Sequence, residues 1–188
     1  MNFKNCLLLS HVWMLEDQTY KKDIIDFCVR HFRENNSDLY IILTGHGSQP
    51  HESTVDLCDA VLWWLDLEKS EIGRGHPKLV DIGLAHAKEM GFKKILKQRA
   101  DCIIADKNVH DLYDSLLNDK KLLVTNDHGV IGDLLMYGDI DVLLDGWKIE
   151  EWNGEVDGMV NFNNTLSRHD ELEFTHIDIM KWVYLDPY

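Results

Sequence analysis

The feature that most constrains the fold is an alternation of short apolar, β-prone runs with longer segments of helical spacing. Residues 6–10 form an apolar run that ends in the polar Ser10, and residues 39–43 are continuously apolar, as expected of strands that are buried on both faces. Residues 19–34, between them, place their apolar side chains along one helical stripe. Because consecutive parallel strands need a crossover, usually a helix, this order predicts a parallel sheet.

The same alternation continues to about residue 125. The pattern predicts further strands at 60–65, 94–96 and 122–125, and helices at 76–90 and 108–117. We therefore expect a single α/β domain over residues 1–188, with a mostly parallel central sheet flanked by helices. After Asn126 the strand–helix alternation is lost, and we expect this last part to fold against the sheet because Trp147, Trp152 and Trp182 need burial.

The overall charge excludes several classes of partner. The chain carries 33 acidic and 19 basic residues, a formal net charge of -14. Binding to nucleic acid and to anionic lipid depends on Lys and Arg contacts to phosphate, so neither is expected.

Nothing in the sequence predicts a membrane segment or secretion. No apolar run approaches the roughly 20 residues of a membrane span, and the start of the chain lacks a basic leader and a small-residue cleavage site. The four cysteines are widely spaced, with no C-x-x-C pair, which favours free thiols. We expect a cytoplasmic protein without a transmembrane segment.

The basic residues are concentrated in one stretch. Residues 69–99 contain eight basic and three acidic side chains, a local charge of +5 in a strongly acidic chain. Such a stretch favours an anionic ligand such as a diphosphate, although a solvated helix face explains the lysines equally well. Arg74 and Arg99 are the stronger candidates, because both lie at predicted element ends.

Standard phosphate-binding motifs are missing. The chain has no G-x-x-x-x-G-K-[ST] loop, and Gly73-Arg74-Gly75 does not follow a strand directly. Gly45-His46-Gly47 does follow a predicted strand. Its glycines would let a ligand approach the backbone closely, or they simply form a tight turn.

Two stretches of the sequence contain short motifs of glycine, basic and acidic residues in a distinctive order. Residues 72–77 read IGRGHP, a helix follows, and a strand then leads into Arg99-Ala100-Asp101. This order resembles the central segment of GT-A-fold glycosyltransferases, where a strand ends in an Asp-x-Asp motif. Lys97-x-Arg99-x-Asp101, followed by IGDLLMYGD at 131–139, is similar to WavE-type lipopolysaccharide-synthesis proteins and related viral and bacterial sugar transferases. The resemblance covers about residues 5–150.

The resemblance implies a GT-A-like (Rossmann-like) fold and a glycosyltransferase. Its partners would be a nucleoside-diphosphate sugar and a glycan or lipid-linked acceptor. Residues 1–125 would form the nucleotide-binding half, and residues 126–188 the acceptor-side half. Seven residues would bind the donor, the first three near the nucleoside and the others at the diphosphate or donor sugar: Thr44, Gly45, His46, Arg74, His76, Lys97 and Arg99.

One position departs from the family pattern, because Arg99 stands where the first carboxylate of Asp-x-Asp is expected. In the family these carboxylates hold a divalent metal that bridges two phosphates. A lone Asp101 could still hold Mn²⁺ or Mg²⁺ together with phosphate oxygens. Alternatively, Arg99 supplies the positive charge directly. A purely structural role for Asp101, capping the next turn, also stays open.

Asp133 and Asp139 flank the apolar centre of the second stretch, residues 131–139, and Asp133 is the candidate catalytic residue of the two. A carboxylate there would act as general base on the acceptor hydroxyl or orient the donor sugar. The alternative is an N-cap, with Gly132 and Asp133 opening a short helix.

Two other function classes stay open. A non-catalytic nucleotide-sugar-binding or interaction module is favoured by the short chain and the altered Asp-x-Asp. A different metal-dependent phosphoryl-transfer or hydrolytic enzyme would need carboxylates clustered around two metals, and the acids here are scattered.

Overall fold

The computed structural model describes residues 3–14, 19–64, 72–104, 109–117, 119–127, 130–147, 172–175 and 182–184. Its helices are α1 (Tyr20–Asn35), α2 (Glu52–Leu57), α3 (Ile72–Glu89), α4 (Val109–Leu116) and α5 (Ile140–Gly146). Its strands are β1 (Asn5–Met14), β2 (Leu39–Gly47), β3 (Ala60–Trp64), β4 (Lys94–Arg99), β5 (Cys102–Ile104), β6 (Leu122–Asp127), β7 (Val130–Asp139), β8 (Leu172–Thr175) and β9 (Trp182–Tyr184).

Seven of these strands form one sheet in the order β3-β2-β1-β4-β7-β6-β8. Strand β7 runs antiparallel to β4 and β6, and the other six strands are parallel to one another. Strand β1, in the interior of the sheet, places Leu8 opposite Ile42 of β2 and opposite Lys97 of β4. Strands β5 and β9 form a separate antiparallel pair. The expected mostly parallel sheet flanked by helices is confirmed.

The two faces of the sheet carry separate apolar cores. On the face covered by α3 and α5, here the α3 face, Leu8 and Ile42 contribute to the core. On the opposite face, covered by α1 and α4 and here the α1 face, Leu7 and Ile41 do so. All four residues are fully buried, which explains why these strands have continuous apolar sequences. Burial of each such side chain contributes about 1.5–3 kcal/mol.

Helix α3 lies very close to the sheet. A Cβ at Gly83 would stand 2.4 Å from Leu8 Cδ1 and 3.1 Å from Thr44 Cγ2, so glycine permits this close approach. The helix begins at Ile72, four residues before the predicted start, so Pro77 lies in its second turn instead of at its first position. The Gly-Arg-Gly-His stretch extends the helix by a turn, although Pro77 has no amide to donate to the Gly73 carbonyl.

The chain after Asn126 is more regular than its sequence pattern indicates. Strand β7 has ten residues and pairs with both neighbours. At Gly138 φ is 149°, and a Cβ there would lie 2.1 Å from the Lys121 carbonyl oxygen. Glycine is therefore required at this point, and it interrupts the apolar alternation that would have revealed the strand.

Trp147 is 2% exposed and belongs to the core of the α3 face, as expected. Trp152 lies outside the described residues, and for Trp182 the structure defines only the backbone. Strands β7 and β8 extend the sheet beyond residue 125, so the sheet has no break there. The functional division into two halves at this residue stays a prediction. Within the described ranges, no helix combines the length and apolarity needed to cross a membrane.

Candidate functional site

The parallel strands all end at one edge of the sheet, here the carboxyl edge. Strand β7 starts at this edge because it runs antiparallel, and α3 starts there because it follows β3 and packs back across β1 and β2. Ligands of open α/β sheets bind outside the carboxyl ends of the strands. The carboxyl edge is therefore where the predicted site residues should meet.

Strand register places Thr44 and Arg99 on the two sides of Ser10. Thr44 of β2 and Arg99 of β4 are both register partners of Ser10 in β1. Neighbouring strands lie about 4.8 Å apart, so the two outer Cα atoms are about 10 Å apart. These two predicted donor-binding residues thus lie at the same level of the sheet.

Thr44 and His46 lie on the α3 face with polar atoms unsatisfied. Thr44 is fully buried, His46 is 2% exposed, and neither Thr44 Oγ1 nor His46 Nε2 has a hydrogen-bond partner among the described residues. Burial lowers the pKa of His46 below its ordinary value of 6.5, so the imidazole is neutral at pH 7. Buried polar groups are usually paired, so these two atoms are candidates for a hydrogen bond with a ligand.

Gly45, between them, faces the other side of the sheet and accommodates an indole ring. A Cβ at Gly45 would lie 2.3 Å from Trp63 Cζ3 and 2.5 Å from Trp63 Cη2. The Trp63 Nε1–H group donates a hydrogen bond to the Gly47 carbonyl at 3.0 Å. Glycine at this position thus has a packing reason, and its proposed place beside a nucleoside stays a prediction.

Arg99 and Asp101 form a bidentate ion pair at the end of β4. Arg99 Nε donates to Asp101 Oδ1 at 3.0 Å, and Nη2 donates to Oδ2 at 2.6 Å. The Asp101 side chain is 2% exposed, whereas that of Arg99 is 30% exposed. The Cys102 thiol lies 3.6 Å from Oδ1 as a further donor. The carboxylate therefore anchors a partly exposed guanidinium and does not cap the following turn through the hydrogen bonds seen here.

This pair bears directly on the predicted metal site. In this arrangement both oxygens of Asp101 accept from Arg99, so Asp101 would bind a metal only by sharing these oxygens with the guanidinium or releasing it. Within the described part of the chain, no group of three or more His, Cys, Asp or Glu side chains could hold a metal ion. The divalent metal stays a prediction, and Arg99 occupies the carboxylate expected to bind it.

Lys97 lies inside the core, away from the surface of the carboxyl edge. Its side chain is fully buried, and Nζ is 5.1 Å from the centroid of the Trp147 ring, within the range of a cation–π interaction. A fully buried Lys97 does not reach a donor outside the carboxyl edge in this arrangement. The sequence pattern showed a basic residue two positions before Arg99, but it could not show that a tryptophan covers it.

For Asp133, Arg74 and His76 the structure defines the backbone, and their side chains lie outside the described residues. Asp133 belongs to β7 near its start at the carboxyl edge, so the alternative in which it opens a helix is wrong. Asp139 is the N-cap of α5 instead, with Oδ1 accepting from the amides of Asp141 at 2.9 Å and Val142 at 3.2 Å. Arg74 and His76 lie in the first turns of α3, at the same edge.

The basic stretch identified in the sequence divides between both edges of the sheet. Helix α3 and strand β4 cross the sheet in opposite directions, so their junction lies at the other edge, here the amino edge. Lys93 and Lys94 are at that junction, and nearby Lys88 pairs with Asp141 at 2.7 Å. The basic side chains of residues 69–99 therefore do not converge on one cleft. The order of these residues in the sequence does not reveal this division.

Gln98 is a polar residue at this edge that the sequence did not single out. It is fully buried on the α1 face, and its Nε2 donates to the Cys102 carbonyl at 2.7 Å. Its Oε1 has no partner among the described residues. A single Gln at a strand end has no distinctive sequence signal, so only the fold identifies it.

Comparison with known proteins gives the fold. No protein-family model and no curated protein matches the chain. Among solved structures, the glycosyltransferase GlyE of Streptococcus pneumoniae matches with a TM-score of 0.57 at 15% identity, covering 93% of this chain and 45% of that one. The present chain thus spans less than half of the GlyE chain.

Two further structures match over most of both chains. A glycosyltransferase involved in glycosylation of the major capsid of PBCV-1 has a TM-score of 0.52 at 12% identity, covering 91% of this chain and 81% of that one. A nucleoside-diphosphate-sugar pyrophosphorylase from Vibrio cholerae has a TM-score of 0.52 at 10% identity, covering 96% and 95%. The chain therefore has the GT-A-like α/β fold of these two glycosyltransferases and of the pyrophosphorylase.

Proposed function

We propose that this chain binds a nucleoside-diphosphate sugar at the carboxyl edge and transfers the sugar to a hydroxyl acceptor. The observation that carries the proposal is the arrangement around Ser10. On one side of it lies an anchored guanidinium, Arg99, and on the other lie two buried polar atoms without partners among the described residues, Thr44 Oγ1 and His46 Nε2. The GT-A-like fold supports the same assignment.

The β2 side of the edge would bind the nucleoside. A buried polar group without a partner costs about 1–3 kcal/mol, which a hydrogen bond from ribose or base would recover. Neutral His46 offers one donor and one acceptor on its ring, which suits uncharged groups better than phosphate. Gly45 would contribute by keeping the strand close to Trp63, so that β2 stays rigid beneath the ligand.

The β4 side of the edge would bind the diphosphate. As the bond between the sugar and the diphosphate breaks, negative charge accumulates on the leaving nucleoside diphosphate, and a preplaced cation stabilises it. Arg99 suits this role because Asp101 fixes the orientation of its guanidinium with two hydrogen bonds. Arg74 and His76 lie in the first turns of α3, where the positive end of the helix dipole also favours an anion.

The start of β7 would face the reacting sugar. Asp133 would act there as general base on the acceptor hydroxyl or as an orienting group. We propose a glycan or lipid-linked acceptor held by residues 126–188. Arg99, in place of a metal held by Asp101, would neutralise the diphosphate, and Mn²⁺ or Mg²⁺ would need ligands other than this carboxylate.

A second candidate function is a nucleotide-sugar-binding module without catalysis. It is favoured by one observation, the engagement of both Asp101 oxygens by Arg99, which removes the metal ligand implied by the Asp-x-Asp pattern. Such a module would bind the same donor with the same residues and leave it unchanged.

Turnover separates the two candidates. Nucleoside-diphosphate sugars would be incubated with the protein, with and without Mn²⁺, and release of the nucleoside diphosphate would be followed. We expect release that Asp133→Asn abolishes while donor binding persists. Asp119→Asn, an exposed acid in the loop before β6, is the matched control and should leave release unchanged. Binding without release in the wild-type protein supports the module, and absence of binding refutes both.

A further inference from the structure

A second cavity lies at the amino edge, opposite the proposed donor site. It has a volume of about 620 Å³ and opens where β1 and β4 begin. This volume is in the range of small-molecule sites. Strand β4 has six residues, so its two ends, and hence the two sites, are about 17 Å apart.

Three aromatic rings form one wall of this cavity. The rings of Phe3 and Tyr40 meet edge to face, with centroids 5.1 Å apart, and the rings of Tyr40 and Phe92 are tilted with centroids 5.4 Å apart. Tyr40 is 6% exposed and is fixed by a 3.1 Å hydrogen bond between its hydroxyl and His86 Nε2. Phe3 and Phe92 are only partly buried, so their rings leave aromatic faces and edges against which another ring can pack.

The opposite wall is polar and held in place. Lys94 Nζ donates to Asp114 Oδ1 at 2.7 Å, and the Tyr137 hydroxyl donates to the same oxygen at 2.8 Å. Burial opposes ionisation of Asp114, but these two hydrogen bonds outweigh it and hold the carboxyl pKa below its ordinary value. His110, 5% exposed, directs Nε2 at the Cys6 carbonyl at 3.2 Å. The wall is thus formed by groups with fixed partners.

The charge of the cavity is opposite to that of the protein. Its lining contains Lys4, Lys93 and Lys94 against one acid, Asp114, in a chain of net charge -14. Because Lys94 is paired with Asp114, the remaining charge comes from Lys93 and Lys4. Lys4 makes only a long 3.8 Å contact with Asp111, and both side chains are 71% exposed. Asp141, outside the lining, lies within electrostatic range of Lys93, so Lys93 and Lys4 are the two side chains of the lining through which an anion would bind.

We propose that the amino-edge cavity binds a ring-bearing anion, with its ring on the Phe3–Tyr40–Phe92 wall and its phosphate or carboxylate at Lys93 and Lys4. The two chemical sources of such an anion are a nucleoside monophosphate and an aromatic carboxylate. This site accounts for the part of the basic stretch that does not reach the carboxyl edge. It is independent of the proposed glycosyltransferase activity.

Isothermal titration with four probes tests the proposal: adenosine monophosphate, 4-hydroxyphenylacetate, adenosine and inorganic phosphate. We expect one of the first two to bind at least about tenfold more tightly than adenosine or phosphate, because only they engage both walls. Adenosine monophosphate binding identifies the nucleotide source, and hydroxyphenylacetate binding identifies the carboxylate source. No binding of either ring-bearing anion at about 1 mM would overturn the proposal.

Variants locate the bound anion. Lys93→Glu, an exposed position, should weaken binding by about tenfold or more, and Phe92→Leu, which removes the ring but keeps an apolar side chain, should weaken it too. Lys120→Glu, an exposed lysine outside the cavity lining, is the matched control and should change nothing. Binding that survives Lys93→Glu but is lost in Arg99→Ala would place the anion at the carboxyl edge, which overturns this proposal and leaves the proposed function standing.

Discussion

Replacing Arg99 and replacing Asp101 should destabilise the protein by different amounts, although either substitution breaks the ion pair between them. Arg99→Ala leaves a carboxylate that is 2% exposed without its guanidinium, whereas Asp101→Asn leaves a guanidinium that is 30% exposed and partly hydrated. Removing one partner of a buried ion pair costs about 3–5 kcal/mol, and we expect this range for Arg99→Ala. For Asp101→Asn we expect about 1–3 kcal/mol, the cost of a lost charged hydrogen bond where the remaining charge reaches water.

Urea denaturation followed by circular dichroism measures both losses. The double variant should be less destabilised than Arg99→Ala alone, because no buried charge remains in it. The control is Arg30→Ala, which breaks the exposed Asp26–Arg30 pair in α1 and should cost less than about 1 kcal/mol. A loss for Arg99→Ala no larger than that of the control, or strictly additive losses in the double variant, would refute the anchoring of Arg99 by Asp101.

Two further predictions concern packing and pH. Gly45→Ala places a Cβ 2.3 Å from the Trp63 ring and should lower the free energy of unfolding by about 1–3 kcal/mol. This loss should largely disappear in a Trp63→Leu background. Equal losses in both backgrounds would contradict the clash with Trp63 as its cause. Burial lowers the pKa of His110 below its ordinary value of 6.5, so below that pH the unfolded chain takes up a proton that the folded protein does not. The free energy of unfolding should therefore fall as the pH drops from 6.5 to about 5. His110→Gln, which keeps a donor for the Cys6 carbonyl, should make this decline shallower. If urea denaturation gives the same pH dependence for the variant and the wild-type protein, His110 is not its source.

The sequence was most informative where one physical effect dominates. Continuous apolar runs such as 6–9 exist because both faces of β1 are buried, so the parallel sheet and its main helices could be predicted. Strand β7 could not be predicted, because Gly132, Asp133 and Gly138 interrupt its apolar pattern. At Gly138 the positive φ and the nearby Lys121 carbonyl require glycine. A local pattern does not show that a segment with these residues is held between β4 and β6.

The site was partly predictable for the same reason. Strand ends meet at one edge of a parallel sheet, so the placement of Thr44, His46 and Arg99 together follows from the fold. The partners of each side chain depend on tertiary contacts that spacing does not encode. Lys97 is covered by Trp147, fifty residues later, and Arg99 faces Asp101 where a metal site was expected.

Calorimetric binding of nucleoside diphosphates without metal tests the central claim most directly. Uridine, guanosine, cytidine and adenosine diphosphates would each be titrated in EDTA alongside their nucleosides, into the wild-type protein and into Arg99→Ala under conditions where both are folded. We expect one diphosphate to bind the wild-type protein, and Arg99→Ala to weaken it by about tenfold or more while nucleoside binding is unchanged, since a charged hydrogen bond to phosphate is lost. Equal affinity in both proteins, or binding that requires Mn²⁺, would contradict the assignment of Arg99 as the cation of a nucleotide-sugar site.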